Sequence, residues 1–494
     1  MATNIHTVPP DGLSTEFARA RRPQDWLVPL VPAAVALVAG LYRIGTPALW
    51  RDEAATISAS RRPLGDLLRM LTHVDSVHSL YYLIMHLVTS VLGTGAVAVR
   101  LPSALAIAAT AGLIAVLGRR LAGTAVGVAA GLLLGLSNPV ITRFAQEARS
   151  YALCAMLAVL ATLLLVRALE RGDRRSYAWY GVVVALLGFM HLFTLLLLAA
   201  HAVTWWVSPG GRKRSWPIAA GAAVAVLLPF GLFSQTQDAQ VSWLLKPTVA
   251  DFRVLVESLT GAGRLLTTLP VIALCAVGLL RPARPSGGAD LRWVALPWAV
   301  LPPLILITAS FVHPFYIFRY VLYCIPAVSL LTAYGLSRIP WRPALPIGVA
   351  LLVVMVTQAQ IGVRSKSGRA DDLRKLASIL ATHEQPGDAI VYHHIQYRRV
   401  NAAYPAAYKN LLDVALKTDP VTAGNFNGID VDAATLAQRL QSVNRVFFVH
   451  SRGTPAASES RWDRVKEQLV QHGAFVQTGA WQFQGGWVYL YVRR

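Results

Sequence analysis

The chain has 494 residues, of which 55% are hydrophobic and only 14% charged, against about 25% charged in an average soluble domain. That deficit excludes an ordinary soluble enzyme and points to lipid as the main solvent. The net charge of +21 would suggest nucleic acid on a soluble protein, but the cations here sit in short loops between apolar runs, where membrane topology explains them and no nucleic-acid partner is expected.

In chain order, residues 1–25 read as a cytoplasmic tail, with Arg19, Arg21 and Arg22 ahead of an apolar run long enough to stay in the membrane. Apolar segments then follow at 26–43, 97–117, 121–139, 151–168, 177–190, 192–207, 217–234, 265–281, 293–311, 319–337 and 343–360, which predicts eleven spanning helices. Basic clusters at 19–22, 119–120, 167–175, 212–214, 281–292 and 338–342 fall between them. Placing each cluster inside makes the segments alternate, with the N-terminus in the cytoplasm and the C-terminus outside. The break at Met190–His191 matters most, because one helix over 177–207 would invert everything downstream. Residues 26–360 thus form a transmembrane domain and 361–494 a small extracytoplasmic α/β domain. In that tail, helices are expected over 370–383 and 459–471, strands over 389–393 and 446–449, and a hairpin over 481–492 turning at Gly485-Gly486. The tail carries no catalytic motif and reads as a lid or acceptor-docking domain. Cys154, Cys275 and Cys324 lie in apolar runs without ligand spacing, so neither a disulfide framework nor a zinc site is expected of them.

The chemistry concentrates on the outer side. The first outer loop begins Leu49-Trp50-Arg51-Asp52-Glu53-Ala54, an acid pair at the membrane surface. Glycosyl transfer needs one carboxylate to take the acceptor hydroxyl proton, and a second can raise the first one's pKa or orient the acceptor. A helix-start acid pair, or a salt bridge to Arg51, is the alternative. Next comes His73-Val74-Asp75-Ser76-Val77-His78-Ser79-Leu80-Tyr81-Tyr82, ahead of an amphipathic stretch over 80–91 too short to span. His73, Asp75 and His78 offer three metal ligands in six residues, with hydrogen bonding at a helix start or sugar binding as the competing reading. The second outer turn places Glu147 between Arg143 and Arg149; Arg149 suits a phosphate by its planar donor fork, or the trio forms an ion-paired cap. Arg319-Tyr320 opens the tenth segment from outside, where the charge bias does not explain an arginine. A departing lipid phosphate needs a cation at that depth, and snorkelling is the alternative. Lys246 and His191 are two further polar groups on the same side.

These motifs in this order resemble the GT-C superfamily of membrane glycosyltransferases, in the branch holding protein O-mannosyltransferases and the aminoarabinose transferase of lipid A. The likeness covers 26–360, and is most specific at 49–54, 75–86, Arg100-Leu101-Pro102-Ser103, 146–153 and Arg319-Tyr320. It implies a bacterial inner-membrane enzyme and an inverting transfer from a polyprenyl-phosphate sugar, best matched by mannose, to a cell-envelope glycolipid, polysaccharide or protein. Arabinose and aminosugars stay open. It also implies Asp52 as the base, Glu53 in acceptor or donor binding, Arg319 on the donor phosphate, and no metal or other cofactor; Asp75, His78, Tyr81, Glu147, Arg149, His191, Lys246 and Tyr320 complete the expected acceptor- and donor-binding set on the reading of the residues. The family usually has His-Pro-Pro where this chain has Val77-His78-Ser79, so that loop departs from the pattern. A lipid or sugar transporter is the rival class, but the acids gather at one face rather than at the bilayer midplane.

Overall fold

The computed structural model describes residues 25–208, 214–237, 244–261, 265–281, 289–452, 459–472 and 474–494. Nearly all of the expected cytoplasmic tail, and parts of the 212–214 and 281–292 basic clusters, lie outside them. The first half runs α1 (Leu27–Leu41), α2 (Arg51–Ser60), α3 (Leu64–His73), α4 (Ser79–Leu92), α5 (Ala96–Ala122), α6 (Thr124–Leu136), α7 (Pro139–Ala145), α8 (Tyr151–Arg171) and α9 (Arg174–Met190). It continues with α10 (Leu197–Val207), α11 (Ser215–Gln235), α12 (Val249–Thr260), α13 (Leu265–Leu280), α14 (Leu291–Ser310), α15 (Ile325–Ser337), α16 (Ala344–Met355) and α17 (Thr357–Val363).

Among the described residues, five helices are long and apolar enough to cross a membrane: α5, α8, α11, α14 and the run Phe318–Ser337 ending in α15. Counting the bent pairs α6–α7 and α16–α17 as one span each makes seven. The protein is therefore multi-pass, but the expected count of eleven is not confirmed. The physical reason is that hydropathy reports composition, whereas the backbone is repeatedly broken. The α6–α7 pair bends by 69° and α16–α17 by 48°, and Leu27–Leu41 is only 15 residues long. The break at Met190–His191 is present: α9 stops at Met190, His191 is extended, and a 3-10 turn over Leu192–Leu196 precedes α10.

Small residues let the helices approach closely, as in other membrane bundles. A Cβ on Gly127 would lie 2.2 Å from the Ala115 carbonyl, and one on Gly335 would lie 1.8 Å from that of Leu274. These contacts weld α6 to α5 and α15 to α13. The most hydrophobic stretch of Phe318–Ser337 is 83% buried and occupies the centre, whereas that of α11 is 22% buried and turns Val224, Val226, Leu228 and Leu232 outward.

The C-terminal region folds as α18 (Leu373–His383), β1 (Ala389–Tyr392), α19 (Val400–Ala403), β2 (Leu412–Asp413), β3 (Leu416–Thr418), β4 (Ile429–Asp430), α20 (Ala433–Gln441), β5 (Arg445–Ser451), α21 (Arg461–Gln471), β6 (Phe475–Phe483) and β7 (Gly486–Arg493). A mixed sheet of order β2-β1-β5-β7-β6 is parallel from β2 to β5 and antiparallel beyond. Its inner strands are apolar on both faces, as strands covered on both sides must be. Ile390, Tyr392, Phe447 and Val449 pack with Leu373, Leu376 and Leu380 of α18, while Val391, Val446 and Phe448 pack with Leu436 and Leu440 of α20 and Val470 of α21. Both expected helices start at side-chain caps: Asp372 accepts from the Lys375 N–H, and Ser460 and Asp463 form a reciprocal capping box.

Candidate active site

Asp52 and Glu53 are neighbours on the first turn of α2, where acids suit the helix dipole. Successive helical residues diverge by about 100°, so the two carboxylates face different surroundings. Glu53 is fully buried, and Arg100 of α5 grips it by both oxygens at 2.7 and 2.6 Å. The Ala148 N–H adds a third bond at 3.0 Å. Arg100 spends its remaining donors on the Ile44, Pro47 and Ala48 carbonyls. No face of Glu53 is left for a ligand. The expected role in acceptor or donor binding therefore gives way to a structural one: the pair pins α2 between α5 and the 146–149 turn.

Asp52 instead faces a recess, with 22% of its side chain exposed and Arg319 Nη1 3.3 Å from its Oδ2. Burial alone would raise its pKa, but Arg149, Arg319, Arg399 and Arg51 together outweigh that and hold the carboxyl below its ordinary value. Of the two roles open to a second carboxylate, raising this pKa is not the one the surroundings favour, because cations set it. Arg51 pairs with neither acid of its own loop. It turns to Asp371, 2.6 Å away, in the segment leading into α18.

Four of the expected motifs, together with His191, converge on this recess. Asp75 takes a left-handed conformation (φ 59°), which Asp tolerates better than most residues. It accepts a hydrogen bond from the Tyr82 hydroxyl. Arg149 donates to that hydroxyl at 3.3 Å and to His78 Nε2 at 3.1 Å, so His78 carries its proton on Nδ1. The His78 ring lies 5.6 Å from His191, and His191 lies 4.8 Å from Tyr320. Arg319 lies over the Tyr151 ring and turns inward to Asp52 rather than out to lipid. Tyr81 is buried beside Tyr82.

Three expected residues stand apart. Glu147 is buried behind the recess, 3.4 Å from Arg143, and its pKa is raised, first by burial. Lys246 is exposed on the chain ahead of α12, and nothing brings it to Asp52. His73 is also exposed, bonded to the Arg69 carbonyl and Thr72 rather than facing Asp75 and His78. The three-ligand metal reading of that loop therefore fails, because α3 carries His73 to the other side.

Sequence reasoning missed Arg399, and gave no role to Tyr82, Tyr151 or Arg100, although all three lie in the motifs it singled out. Arg399 comes from the C-terminal region, where it stacks on Phe426 and is drawn electrostatically to Asp52, Tyr82 and Asp75. Phe426 in turn meets Tyr82. Arg100 had a signal: a guanidinium within an apolar helix requires a buried partner.

Several donors lining the recess have no hydrogen-bond partner among the described residues: Arg149 Nε, Arg319 Nε, His78 Nδ1, His191 Nδ1 and the Tyr151 hydroxyl. Buried polar groups are normally satisfied. A cluster of unpaired donors around two arginines suits an anion with several acceptor oxygens.

The transmembrane bundle and its C-terminal α/β region share the fold of solved GT-C proteins. Residues 79–233 match the family model described as dolichyl-phosphate-mannose-protein mannosyltransferase. ArnT from Cupriavidus metallidurans in the apo state is similar in structure, with a TM-score of 0.62 at 14% identity over 94% of this chain and 97% of that one. The same protein bound to undecaprenyl phosphate gives 0.59 at 14% identity, covering 95% and 98%. The mycobacterial arabinofuranosyltransferase AftD gives 0.49 at 16% identity, over 96% of this chain and 40% of that one. No curated protein matches by sequence.

Proposed function

We propose that this protein is an inverting glycosyltransferase that moves a sugar, mannose first, from a polyprenyl-phosphate donor to a hydroxyl of a cell-envelope acceptor at the outer face of the membrane. The observation that carries the proposal is the ring of unpaired donors on Arg149, Arg319, His78, His191 and Tyr151 beside Asp52. The donor's phosphate accepts from Arg319 and Arg149. The acceptor oxygen attacks the anomeric carbon, Asp52 takes its proton, and the carbon–oxygen bond to phosphate breaks with its electron pair staying on the lipid phosphate. Asp52 is a weak base, so proton transfer is late, when the hydroxyl has become acidic in the transition state. The arginines stabilise the leaving phosphate, and no metal takes part in the step. Recognition of polyprenyl phosphate is supported by the undecaprenyl phosphate bound to ArnT, and mannose by the description of the matching family.

The test is transfer by purified protein from polyprenyl-phosphate mannose and, separately, polyprenyl-phosphate arabinose. Mannose transfer that disappears in Asp52→Asn supports the proposal. Transfer of arabinose alone replaces the sugar, and transfer from neither donor overturns both sugars and reopens the transporter reading.

A further inference from the structure

On the α21 side of the C-terminal sheet, His393, His450 and Glu467 meet, and Glu459 joins them at His393. His393 follows β1 and is held beside β5 by its own N–H to the Val449 carbonyl, at 2.9 Å. Its ring stacks on His450 of β5, with centroids 4.4 Å apart and planes 26° apart. His393 Nε2 lies 2.9 Å from Glu459 Oε1 and 3.8 Å from Glu467 Oε2. His450 Nε2 lies 3.7 Å from Glu467 Oε1. One ligand atom from each of His393, His450 and Glu467 lies within 4.8 Å of the others.

Tetrahedral zinc, with bonds of about 2.0–2.2 Å to nitrogen and oxygen, sets its ligand atoms roughly 3.3 Å apart. The contacts here, 2.9 Å from His393 to Glu459 and 3.8 and 3.7 Å from the two histidines to the two oxygens of Glu467, lie close to that edge, so small side-chain turns suffice to close on an ion. Stacked imidazoles at this distance repel if both are protonated, whereas two neutral imidazoles and two carboxylates match the donor set that zinc prefers over magnesium or calcium. His393 is 3% exposed, while His450, Glu459 and Glu467 keep 31%, 22% and 27% of their side chains open, which leaves an entry path. Gln471 Nε2 donates to Glu467 Oε1 at 2.8 Å, an outer hydrogen bond that orients the carboxylate.

We propose that His393, His450, Glu459 and Glu467 form a zinc-binding site in the C-terminal region, separate from the Asp52 recess. A bound ion ties the end of β1 to β5 and α21. It also braces the 3-10 turn Ile395–Arg399, which delivers Arg399 to the recess.

The test uses the full chain in detergent, stripped with a chelator, equilibrated with zinc chloride and desalted. About one zinc per chain is expected by elemental analysis, with a melting temperature raised by zinc but not by magnesium. The double variant His450→Ala/Glu467→Gln should lose the metal and the zinc-dependent shift, while His472→Ala, on an exposed position after α21, should keep both. Cobalt(II) added to the stripped wild-type protein should show the visible absorption of a four-coordinate ion, a readout that does not depend on the variant folding. Substoichiometric zinc in the wild type, equal zinc in the double variant, or six-coordinate cobalt would overturn the site and leave only a hydrogen-bonded His–Glu cluster.

Discussion

Asp52 and Arg319 sit 3.3 Å apart, and what each does depends on the other. If Asp52 is the base, Asp52→Asn should cut transfer by about 10²–10⁴-fold while leaving the melting temperature close to wild type. The carboxyl is held below its ordinary pKa by the surrounding arginines. It is therefore ionised at neutral pH, and its contribution is lost only as pH falls through that lowered value. The kcat/KM profile should show no acid limb from this group at or near neutral pH. Removing one of those arginines raises the Asp52 pKa, so in Arg319→Ala the acid limb should move upward, alongside a higher KM for the lipid donor. A profile unmoved by Arg319→Ala would separate the two residues. Asp52, Asp75, His78, Arg149, His191 and Arg319 could be singled out in the sequence by their place on the expected outer side and by the family resemblance. Arg399 could not, since it lies in a polar tail where arginines are common and only tertiary docking brings it to Asp52.

At the level of elements, α2 is the piece everything else positions. Thr56 bonds the Ala148 carbonyl at 2.9 Å, Glu53 accepts from the Ala148 N–H, and Arg100 closes the arrangement from α5. Breaking a buried ion pair from one side costs about 3–5 kcal/mol. Arg100→Met should therefore destabilise the protein by that amount, read as lost thermal stability in detergent. Glu53→Gln, which keeps a hydrogen-bond acceptor for Arg100, should cost less. Equal stability of wild type and Arg100→Met would remove α2's main anchor from this account. That Arg100 needs a carboxylate is readable from sequence. Which of two adjacent acids it takes is set by helical phase, and that depends on where α2 begins. The apolar segments were similarly readable as helices, but their number as spans was not, because bends such as the one between α6 and α7 leave no mark in hydropathy.

Across the whole molecule, the C-terminal region is fastened to the bundle at several points. Arg51 reaches Asp371, Arg369 reaches the Gln146 carbonyl, Arg61 reaches that of Ala402, and Ala54 packs into the same core as Leu373 and Tyr397. A tail whose role reads from sequence as a lid thus adds side chains to the recess it covers. Hydrogen bonds to charged groups contribute about 1.5–3 kcal/mol each. Asp371→Ala, which strands Arg51, should loosen this docking, seen as faster hydrogen exchange over 395–404 and a severalfold loss of transfer with zinc content unchanged. Unchanged exchange there would show that the remaining contacts suffice. The Glu53–Arg100 pair also constrains how the chain is made. Its partners are 47 residues apart, so at about 5–20 residues per second they leave the ribosome roughly 2–9 s apart. Neither charge has its partner until the other is made, so α2 cannot take its final place until α5 has followed it out of the ribosome.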